Sequence, residues 1–292
     1  MSEEGIKASE QGSAFEFGAK LAEERNQQQL LFSQLEARIA ELEGGRQHGE
    51  SKVSEAKRDV IILVHGIRDR ALWQSQVRAA LRQAGFEVCL TDFGRLDLFR
   101  FLVPGPFFRR SAINKVRVQI NAVRVLYPEC RLSVIAHSFG TYVISNVMME
   151  EFAIVFHRVI FCGAVISPKI AFEQISNRFS PVIMNEIGTS DPWPALARSI
   201  TWGYGSSGTF GYRQPLVEDR WHESAGHSFF LNSDFCAKYW VPFLKDGVIV
   251  SGTENPTAPN LFIRFISLIH LKYLVITFLA IVLAAYFLRR GT

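Results

Sequence analysis

The chain has few of the residues that build metal centres or disulfide frameworks. Its 292 residues include four cysteines, which lie far apart in sequence. None forms a Cys-x-x-Cys pair or a Cys/His cluster, so no metal site is expected. Isolated cysteines, two of them inside apolar strand-like runs, are typical of reduced thiols in a cytosolic-facing domain.

Concentrated basic charge is also lacking. The net charge is only +4, and lysine and arginine are spread along the chain rather than gathered in a stripe. This pattern argues against nucleic acid as a partner. The first residues are acidic and polar, without a basic segment or an apolar run, so we expect no secretory signal peptide.

One long hydrophobic run is present near the carboxyl end. Residues 273–288 contain no charged residue, and two arginines follow at once. The run spans ~24 Å as a helix, and ~36 Å when extended back through Lys272, against a hydrocarbon core of ~30 Å. An apolar surface on every face is atypical of a core helix. The sequence predicts a transmembrane tail anchor over 265–288, after a linker at 251–264.

The sequence pattern of the first 57 residues predicts a segment outside the main domain. Residues 1–15 indicate disorder and residues 46–57 a polar linker, while 16–43 are rich in Glu, Gln, Ala and Leu. Apolar residues at three- and four-residue steps give 16–43 one apolar helical face, and a Gly-Gly pair ends it. The helix could form a short coiled coil, either with a second copy of the chain or with a partner. The alternative is a single amphipathic helix that packs on the main domain.

Residues 58–250 alternate between strand and helix patterns. The run 60–64 is apolar and rich in β-branched residues, which is typical of a strand buried on both faces of a parallel sheet. Further strands are predicted at 86–92, 132–136, 158–165, 182–187 and 216–221, and helices at 71–84, 111–127, 140–152 and 233–243. The fold class is therefore α/β, with a doubly wound, mostly parallel sheet.

The most informative motif follows the strand at 132–136 and reads Ala136-His-Ser138-Phe139-Gly140. A serine nucleophile needs a strand-to-helix turn so tight that small residues flank it, and Ala136 differs from the expected glycine by one methyl. The Phe139 amide, at the start of a helix, favours negative charge on an attacked carbonyl oxygen. The motif predicts Ser138 as a nucleophile, and the alternative is an ordinary strand–turn–helix connection.

A second turn, His65-Gly66-Ile67, follows directly after the first strand. A glycine there lets the backbone turn and direct an amide at the substrate. The Ile67 amide would complete an oxyanion hole with that of Phe139, and one such donor contributes ~3 kcal/mol of transition-state stabilisation.

A candidate catalytic acid and base follow later in the chain. Asp191 comes just after the strand at 182–187, and a proline bars helix continuation at once. An acid in this position can orient a histidine on the next loop, and an Asp-Pro turn is the alternative. The competing acids are Glu186, Glu218 and Asp219.

The candidate base is His227, in a Gly-bearing loop after the last predicted strand. It would take the proton from the serine and deliver it to the leaving group. His222 is its main rival, although it is better explained as the end of a strand.

The order Ser138, Asp191, His227 resembles that of the α/β-hydrolase superfamily. The resemblance covers residues 58–246, through the Ile-Ile-Leu-Val-His-Gly-Ile and Ile-Ala-His-Ser-Phe-Gly-Thr runs and the two later loops. It is greatest to the serine-esterase and lipase group, whose elbow reads Ala-His-Ser-x-Gly. This resemblance implies an α/β-hydrolase fold and hydrolysis of carboxylic or lipid acyl esters without a metal or organic cofactor.

The segment 96–110 packs aromatic and aliphatic residues beside basic ones such as Arg100 and Arg109, and it includes Phe107. It follows a strand on the side where active-site loops gather, so it is a candidate lid whose arginines meet anionic head groups. The alternative is a connection that covers the core. Trp193 is a candidate for lining the pocket from the other side.

The expected function is a membrane-anchored serine hydrolase, with the catalytic domain on the cytosolic side. Basic residues flank both ends of the predicted span, so charge does not set its orientation. A non-enzymatic membrane-tethered scaffold is the alternative outside enzymes. A thioesterase or peptidase is the alternative within them, because these reactions share one triad.

Overall fold

The computed structural model describes residues 58–67, 72–93, 101 and 106–290. All of them belong to the compact unit formed by residues 57–292. The predicted N-terminal helix over 16–43 and its flanking segments lie outside the described residues.

Six parallel strands form one sheet in the order β2-β1-β3-β4-β5-β6, which confirms the predicted parallel arrangement. The strands are β1 Asp59–Val64, β2 Glu87–Leu90, β3 Arg131–His137, β4 Arg158–Cys162, β5 Ile183–Gly188 and β6 Val217–His222.

Helices connect the strands and extend beyond the last one. They are α1 Leu72–Gln83, α2 Pro106–Leu126, α3 Phe139–Glu150, α4 Trp193–Ile200, α5 Ser207–Phe210, α6 Ser233–Phe235, α7 Val241–Asp246, α8 Leu261–Leu268 and α9 Leu271–Arg290. A 3₁₀ helix covers Phe172–Arg178, and a π-helical turn, Cys236–Trp240, joins α6 to α7.

Two apolar layers enclose the sheet, which explains the unbroken apolar run of β1. Successive strand residues point to opposite faces. Val60 and Ile62 pack with α2 and α3 on one face, whereas Ile61 and Leu63 pack with α1 and the helical stretch 233–246 on the other. All four side chains are fully buried. The α/β layering therefore follows from the composition of its central strands.

The winding of the sheet reverses between its neighbouring strands β1 and β3. The chain leaves β1 toward β2 at one edge, and leaves β3 toward β4 on the opposite side. Ligands of open α/β sheets bind beside the carboxyl ends of the strands at such a reversal. The segment after β1 and the Ser138 turn after β3 therefore meet where a ligand is expected.

The C-terminal segment differs from the predicted linker at 251–264 and span at 265–288. Helix α8 already begins at Leu261, because the Asn260 side chain accepts the Ile263 amide proton and caps it. The chain then breaks before α9. Among the described residues no one helix has the length and hydropathy to cross a bilayer, whereas the pair Leu261–Leu268 and Leu271–Leu283, bent by 47°, meets both conditions together.

Helix α4 holds this C-terminal segment against the domain. Ile263 of α8 is buried, and the Ser199 hydroxyl bonds to the backbone on both sides of the break, at Ile269 and Leu271. Lys272 donates to the carbonyl oxygens of Arg198 and Thr201, each at 2.9 Å. The break between α8 and α9 is therefore held by the Ser199 side chain and by backbone carbonyl oxygens at the C-terminal end of α4.

Candidate active site

Ser138 occupies a strained turn between β3 and α3. Its φ is 54° and its ψ is −122°, a conformation that non-glycine residues rarely adopt. The Ser138 amide donates to the Cys162 carbonyl at 3.0 Å, and the Ser138 carbonyl accepts the Thr141 hydroxyl at 2.6 Å. These bonds hold the strained residue in place, as is typical of active sites.

Close backbone approaches explain the small residues around this turn. A Cβ atom on Gly66 would lie 2.7 Å from the Ser138 Cβ atom, and one on Gly140 would lie 2.6 Å from the Val64 carbonyl oxygen. Neither distance leaves room for a side chain. The methyl of Ala136 is fully buried in the core on one face of the sheet. The predicted turn residues therefore have a steric reason to be small.

Two backbone segments next to Ser138 can form the predicted oxyanion hole. Phe139 is the first residue of α3, where an amide proton has no partner within the helix and negative charge is favoured. Gly66 lies against Ser138, which brings the turn that carries Ile67 beside the serine. His65 fixes this turn, because its Nδ1 atom bonds to the Gly66 carbonyl oxygen at 2.7 Å and its ring stacks on Phe93.

His227 is partly buried and pairs with the buried Asp191. His227 Nδ1 lies 2.7 Å from Asp191 Oδ2, and the aspartate is fully buried. The other carboxylate oxygen accepts the Trp193 amide proton at 3.0 Å, while the Asp191 carbonyl accepts the Thr209 hydroxyl at 2.8 Å. With Nδ1 donating to the carboxylate, Nε2 of His227 is the nitrogen left to accept a proton.

Cys162 and Gly163 connect this pair to the serine. The Cys162 carbonyl holds the Ser138 amide, and a Cβ atom on Gly163 would lie only 2.8 Å from Cε1 of His227. Within the described residues no hydrogen bond joins the Ser138 hydroxyl to His227. Bonds between a nucleophile and its base are commonly long until a substrate binds.

Sequence reasoning missed two residues at this site. Gly163 has a φ of +55° and packs against both His227 and Asp191, which no other residue type would permit. Its signal is a glycine directly after a buried strand. His137, the residue just before Ser138, contacts His227 ring to ring with centroids 4.6 Å apart.

His137 also fixes the loop that carries His227. Its Nε2 atom donates to the His227 carbonyl oxygen at 3.1 Å. Burial and the nearby His227 ring lower the pKa of His137 well below its ordinary value, so it stays neutral. Its position beside the nucleophile, on the face opposite Ala136, is the only sequence signal for this role.

The rival histidine has a different partner. Nε2 of His222 lies 2.8 Å from Glu186, which also pairs with Arg220 and accepts the Trp240 indole proton at 2.8 Å. Burial raises the pKa of Glu186, but the hydrogen bonds from Arg220 and His222 outweigh it and hold the pKa below its ordinary value. This buried network engages Nε2 of His222 and both carboxylate oxygens of Glu186.

The other competing acids also lie apart from His227. Asp219 accepts hydrogen bonds from Asn185 and from the Tyr212 and Arg213 amides, each at 2.8 Å, so it shapes a turn. Glu218 is exposed on the edge strand β6. Of the four acids considered from the sequence, only Asp191 bonds to His227.

The predicted lid residues separate into different environments. Arg109 is buried within α2, where it donates to the Trp202 carbonyl at 2.7 Å and lies over the Tyr204 ring, rather than facing a ligand. Trp193 is 54% exposed and lies beside His227, with ring centroids 6.4 Å apart. Arg100 lies outside the described residues, and for Phe107 only the backbone, within α2, is described.

The arrangement defines a class of fold. Six parallel strands, a strained serine after β3, and an aspartate and histidine on the following loops form an α/β-hydrolase fold. Among the described residues, no group of three or more His, Cys, Asp or Glu side chains could hold a metal ion.

Solved structures with this fold are similar to the chain at low identity. A poly(3-hydroxybutyrate) depolymerase from Bordetella parapertussis aligns over 67% of this chain and 83% of its own, with 12% identity and a TM-score of 0.46. An esterase from Pyrococcus furiosus aligns over 65% and 83%, with 15% identity and a TM-score of 0.43. An α/β serine hydrolase homologue from Coxiella burnetii aligns over 65% and 86%, with 13% identity and a TM-score of 0.41.

No protein-family model matches the chain, and no curated protein is detectably similar to it in sequence.

Proposed function

We propose that the protein is a serine hydrolase of the α/β-hydrolase superfamily, with Ser138 as nucleophile, His227 as general base and Asp191 as the acid that orients it. The observation that carries this proposal is the 2.7 Å bond between His227 and the buried Asp191, beside a serine held at positive φ. A nucleophile, a base and a group that orients the base are the parts that acyl transfer requires.

The first half of the reaction acylates the serine. Nε2 of His227 takes the hydroxyl proton as the Ser138 oxygen attacks the carbonyl carbon of an ester. The negative charge that develops on the carbonyl oxygen is stabilised by the Phe139 and Ile67 amides. The tetrahedral intermediate then collapses, the ester C–O bond breaks, and the departing alcohol takes the proton from His227.

The second half releases the acid. Water enters, His227 takes one of its protons, and the resulting oxygen nucleophile attacks the acyl-serine carbonyl. The same amides stabilise the second oxyanion. Collapse returns the proton to the serine oxygen, frees a carboxylic acid and restores the enzyme without a cofactor.

The proposed substrates are carboxylic or lipid acyl esters. The exposed indole of Trp193 beside His227 supports an apolar acyl group, since aromatic surface near a site usually binds apolar substrate. Thioesters and peptides undergo the same steps. Comparing kcat/KM across a panel of esters, thioesters and peptides therefore decides which of the three substrate classes the protein prefers.

We also propose that the bent helix pair α8–α9 anchors the protein to a membrane. Large apolar side chains are exposed along both helices, among them Phe262, Phe265, Leu274, Phe278 and Leu283. An exposed apolar surface of this length is favoured in contact with lipid. The four free cysteines support a catalytic domain on the cytosolic side, and self-association would use the helix predicted at 16–43.

Substitution of the nucleophile tests the proposed chemistry. Ser138→Ala should lower kcat for a short p-nitrophenyl ester by about 10⁴-fold or more, because the oxyanion amides alone supply only a residual rate. Ser228→Ala, which removes an exposed hydroxyl next to His227, is the matched control and should keep its activity. Wild-type activity in Ser138→Ala would remove this serine from the mechanism.

A further inference from the structure

A cavity separate from the serine turn lies beside the edge strand β6. Its volume is about 420 Å³, within the range of small-molecule sites. The aromatic side chains of Phe210 and Trp221 line it together with residues 256–259. Two arginines, Arg213 and Arg264, complete the lining.

The first arginine is held in a strained turn. Arg213 has a φ of 55°, and its amide and that of Tyr212 both donate to Oδ2 of Asp219 at 2.8 Å. Oδ1 of Asp219 accepts the Asn185 amide group at 2.8 Å. The Asp219 carboxylate therefore accepts hydrogen bonds from the backbone of this turn and from Asn185 of β5. The strained backbone of Arg213 persists because these bonds fix the turn.

The second arginine lies on α8, and the segment before α8 packs along β6. The Thr253 amide donates to the Trp221 carbonyl at 2.7 Å, and the Thr257 hydroxyl donates to Glu223 at 2.9 Å. Asn260 then caps α8, which carries Arg264 in its first turn. The segment predicted as a linker is thus one wall of the cavity.

The charged side chains that line this cavity are both arginines. Among its lining residues, all of them described, there is no aspartate or glutamate. In the described part of the chain neither Arg213 nor Arg264 forms an ion pair with a carboxylate. Both arginines are exposed, and an anion bound at this cavity would be attracted by both positive charges. Guanidinium groups bind phosphate oxygens with matching bidentate geometry.

We propose that this cavity binds a phosphate monoester or diester group between Arg213 and Arg264. The group belongs either to a phospholipid head group or to a small soluble phosphate. Arg264 shares α8 with the exposed side chains of Phe262 and Phe265, so a lipid could place its phosphate in the cavity and its acyl chains along the helix. This site does not depend on the chemistry at Ser138.

Titration of the full chain in a non-ionic detergent tests the proposal. Calorimetry with inorganic phosphate, a short-chain phosphatidic acid and a short-chain diacylglycerol separates the phosphate from the acyl chains. Binding of the first two should depend on the two arginines, whereas any binding of the third, which is a candidate substrate for the serine site, should not. Arg213→Gln and Arg264→Gln should each weaken binding about tenfold, the effect of one charge-assisted bond. Lys245→Gln, which removes an exposed charge outside the cavity, should bind as the wild type does.

Comparing the two phosphate-bearing probes distinguishes a phospholipid ligand from a small soluble phosphate. Tighter binding of phosphatidic acid than of phosphate assigns the site to a phospholipid, and equal binding assigns it to a soluble phosphate. Absence of binding to both probes, or wild-type affinity in the double arginine variant, overturns the proposal. Ser138→Ala should bind as the wild type does, so failure of the serine chemistry leaves this result standing.

Protection of the wild-type arginines gives a test that needs no variant. Phosphatidic acid or phosphate should slow phenylglyoxal modification of Arg213 and Arg264, measured by peptide mass mapping, and leave exposed Arg82 unaffected. Equal modification of the two arginines with and without both probes contradicts the proposed site.

Discussion

At the level of single residues, the candidate site depends on close backbone contacts as much as on its reactive groups. Ser138 keeps a positive φ because Cys162 and Thr141 bond to its backbone. Gly66 and Gly163 let the turns approach the serine and the Asp191–His227 pair. The chemistry that we propose therefore requires particular small residues at positions where no reactive group is present.

Asp191 and Glu186 are both buried carboxylates bonded to a histidine, and they should respond differently to removal of charge. Asp191→Asn keeps the volume of the side chain but favours the wrong tautomer of His227, so kcat should fall by about 10⁴-fold. Steady-state kinetics measure this loss, and urea unfolding should show a folded protein. A kcat within threefold of the wild type would exclude Asp191 as the orienting acid.

Glu186→Gln should act on stability instead. It leaves Arg220 buried without its counter-charge, which costs about 3–5 kcal/mol of unfolding free energy. The lowered pKa of Glu186 means that its network stabilises the fold above the ordinary carboxyl pKa and loses this contribution as the pH falls through the folded pKa. Urea unfolding at a series of acidic pH values should show a smaller pH dependence in Glu186→Gln than in the wild type. Identical profiles would contradict this assignment.

The proposed reactive residues have clearer sequence signals than the residues that contact them. Ser138, Asp191 and His227 follow strands and have small or helix-breaking neighbours, which is a local signal. The contacts of His137 and Gly163 with His227 join residues more than sixty positions apart, and no local pattern encodes them. Arg109 shows the reverse error, since a basic residue in an aromatic segment predicted substrate contact and is instead buried against Trp202 and Tyr204.

At the level of elements, helix α4 connects the candidate site to the C-terminal helices. Its first residue, Trp193, donates its amide proton to Asp191, and its C-terminal carbonyl groups accept Lys272 from α9. A cation at the carboxyl end of a helix complements its dipole. One short helix therefore contacts both the acid that orients His227 and the segment that we propose to bind lipid.

Loss of this cation should weaken the connection. Lys272→Met keeps most of the side-chain stem but removes both hydrogen bonds, so the unfolding free energy should fall by about 1 kcal/mol. Thermal unfolding of the full chain in detergent measures the change, with Lys245→Met as an exposed control. An unchanged melting temperature in Lys272→Met would show that this contact contributes nothing to stability.

The six strands of the central domain were predicted to within a few residues, because their burial follows a local apolar pattern. Helices α4 and α5 were not predicted, and α2 begins five residues before its predicted start. The predicted linker at 251–264 was wrong at its end, where α8 begins at Leu261. The helix predicted over 265–288 is interrupted after α8, where the break is held by Ser199, a residue about seventy positions earlier. Apolar periodicity predicts which face of a helix or strand is buried, but it does not predict hydrogen bonds between residues that are far apart in sequence.

At the level of the whole molecule, the sheet order determines where the site can form. The parallel α/β architecture could be predicted from the alternation of strands and helices. The order of the strands could not, although it brings the ends of β1 and β3 together. That juxtaposition places Gly66 beside Ser138, which the sequence separates by more than seventy residues.

Membrane attachment is a property of the full chain and can be tested as such. Leu279 is 59% exposed within α9, and arginine near the centre of a membrane helix costs about 3 kcal/mol. Leu279→Arg should therefore increase the fraction of protein released from membranes by alkaline carbonate. Val118→Arg, at an exposed position of α2, is the matched control. Equal release of wild type and Leu279→Arg would contradict anchoring by α9.

The central claim is that Ser138 is an activated nucleophile, and covalent labelling tests it most directly. A fluorophosphonate probe added to the folded full chain should increase its intact mass by one adduct, with peptide mapping placing the adduct on Ser138. Asp191→Asn should be labelled much more slowly, and Ser138→Ala should not be labelled. Labelling that persists in Ser138→Ala, or no labelling of the folded wild type, would contradict the account and favour a non-enzymatic scaffold.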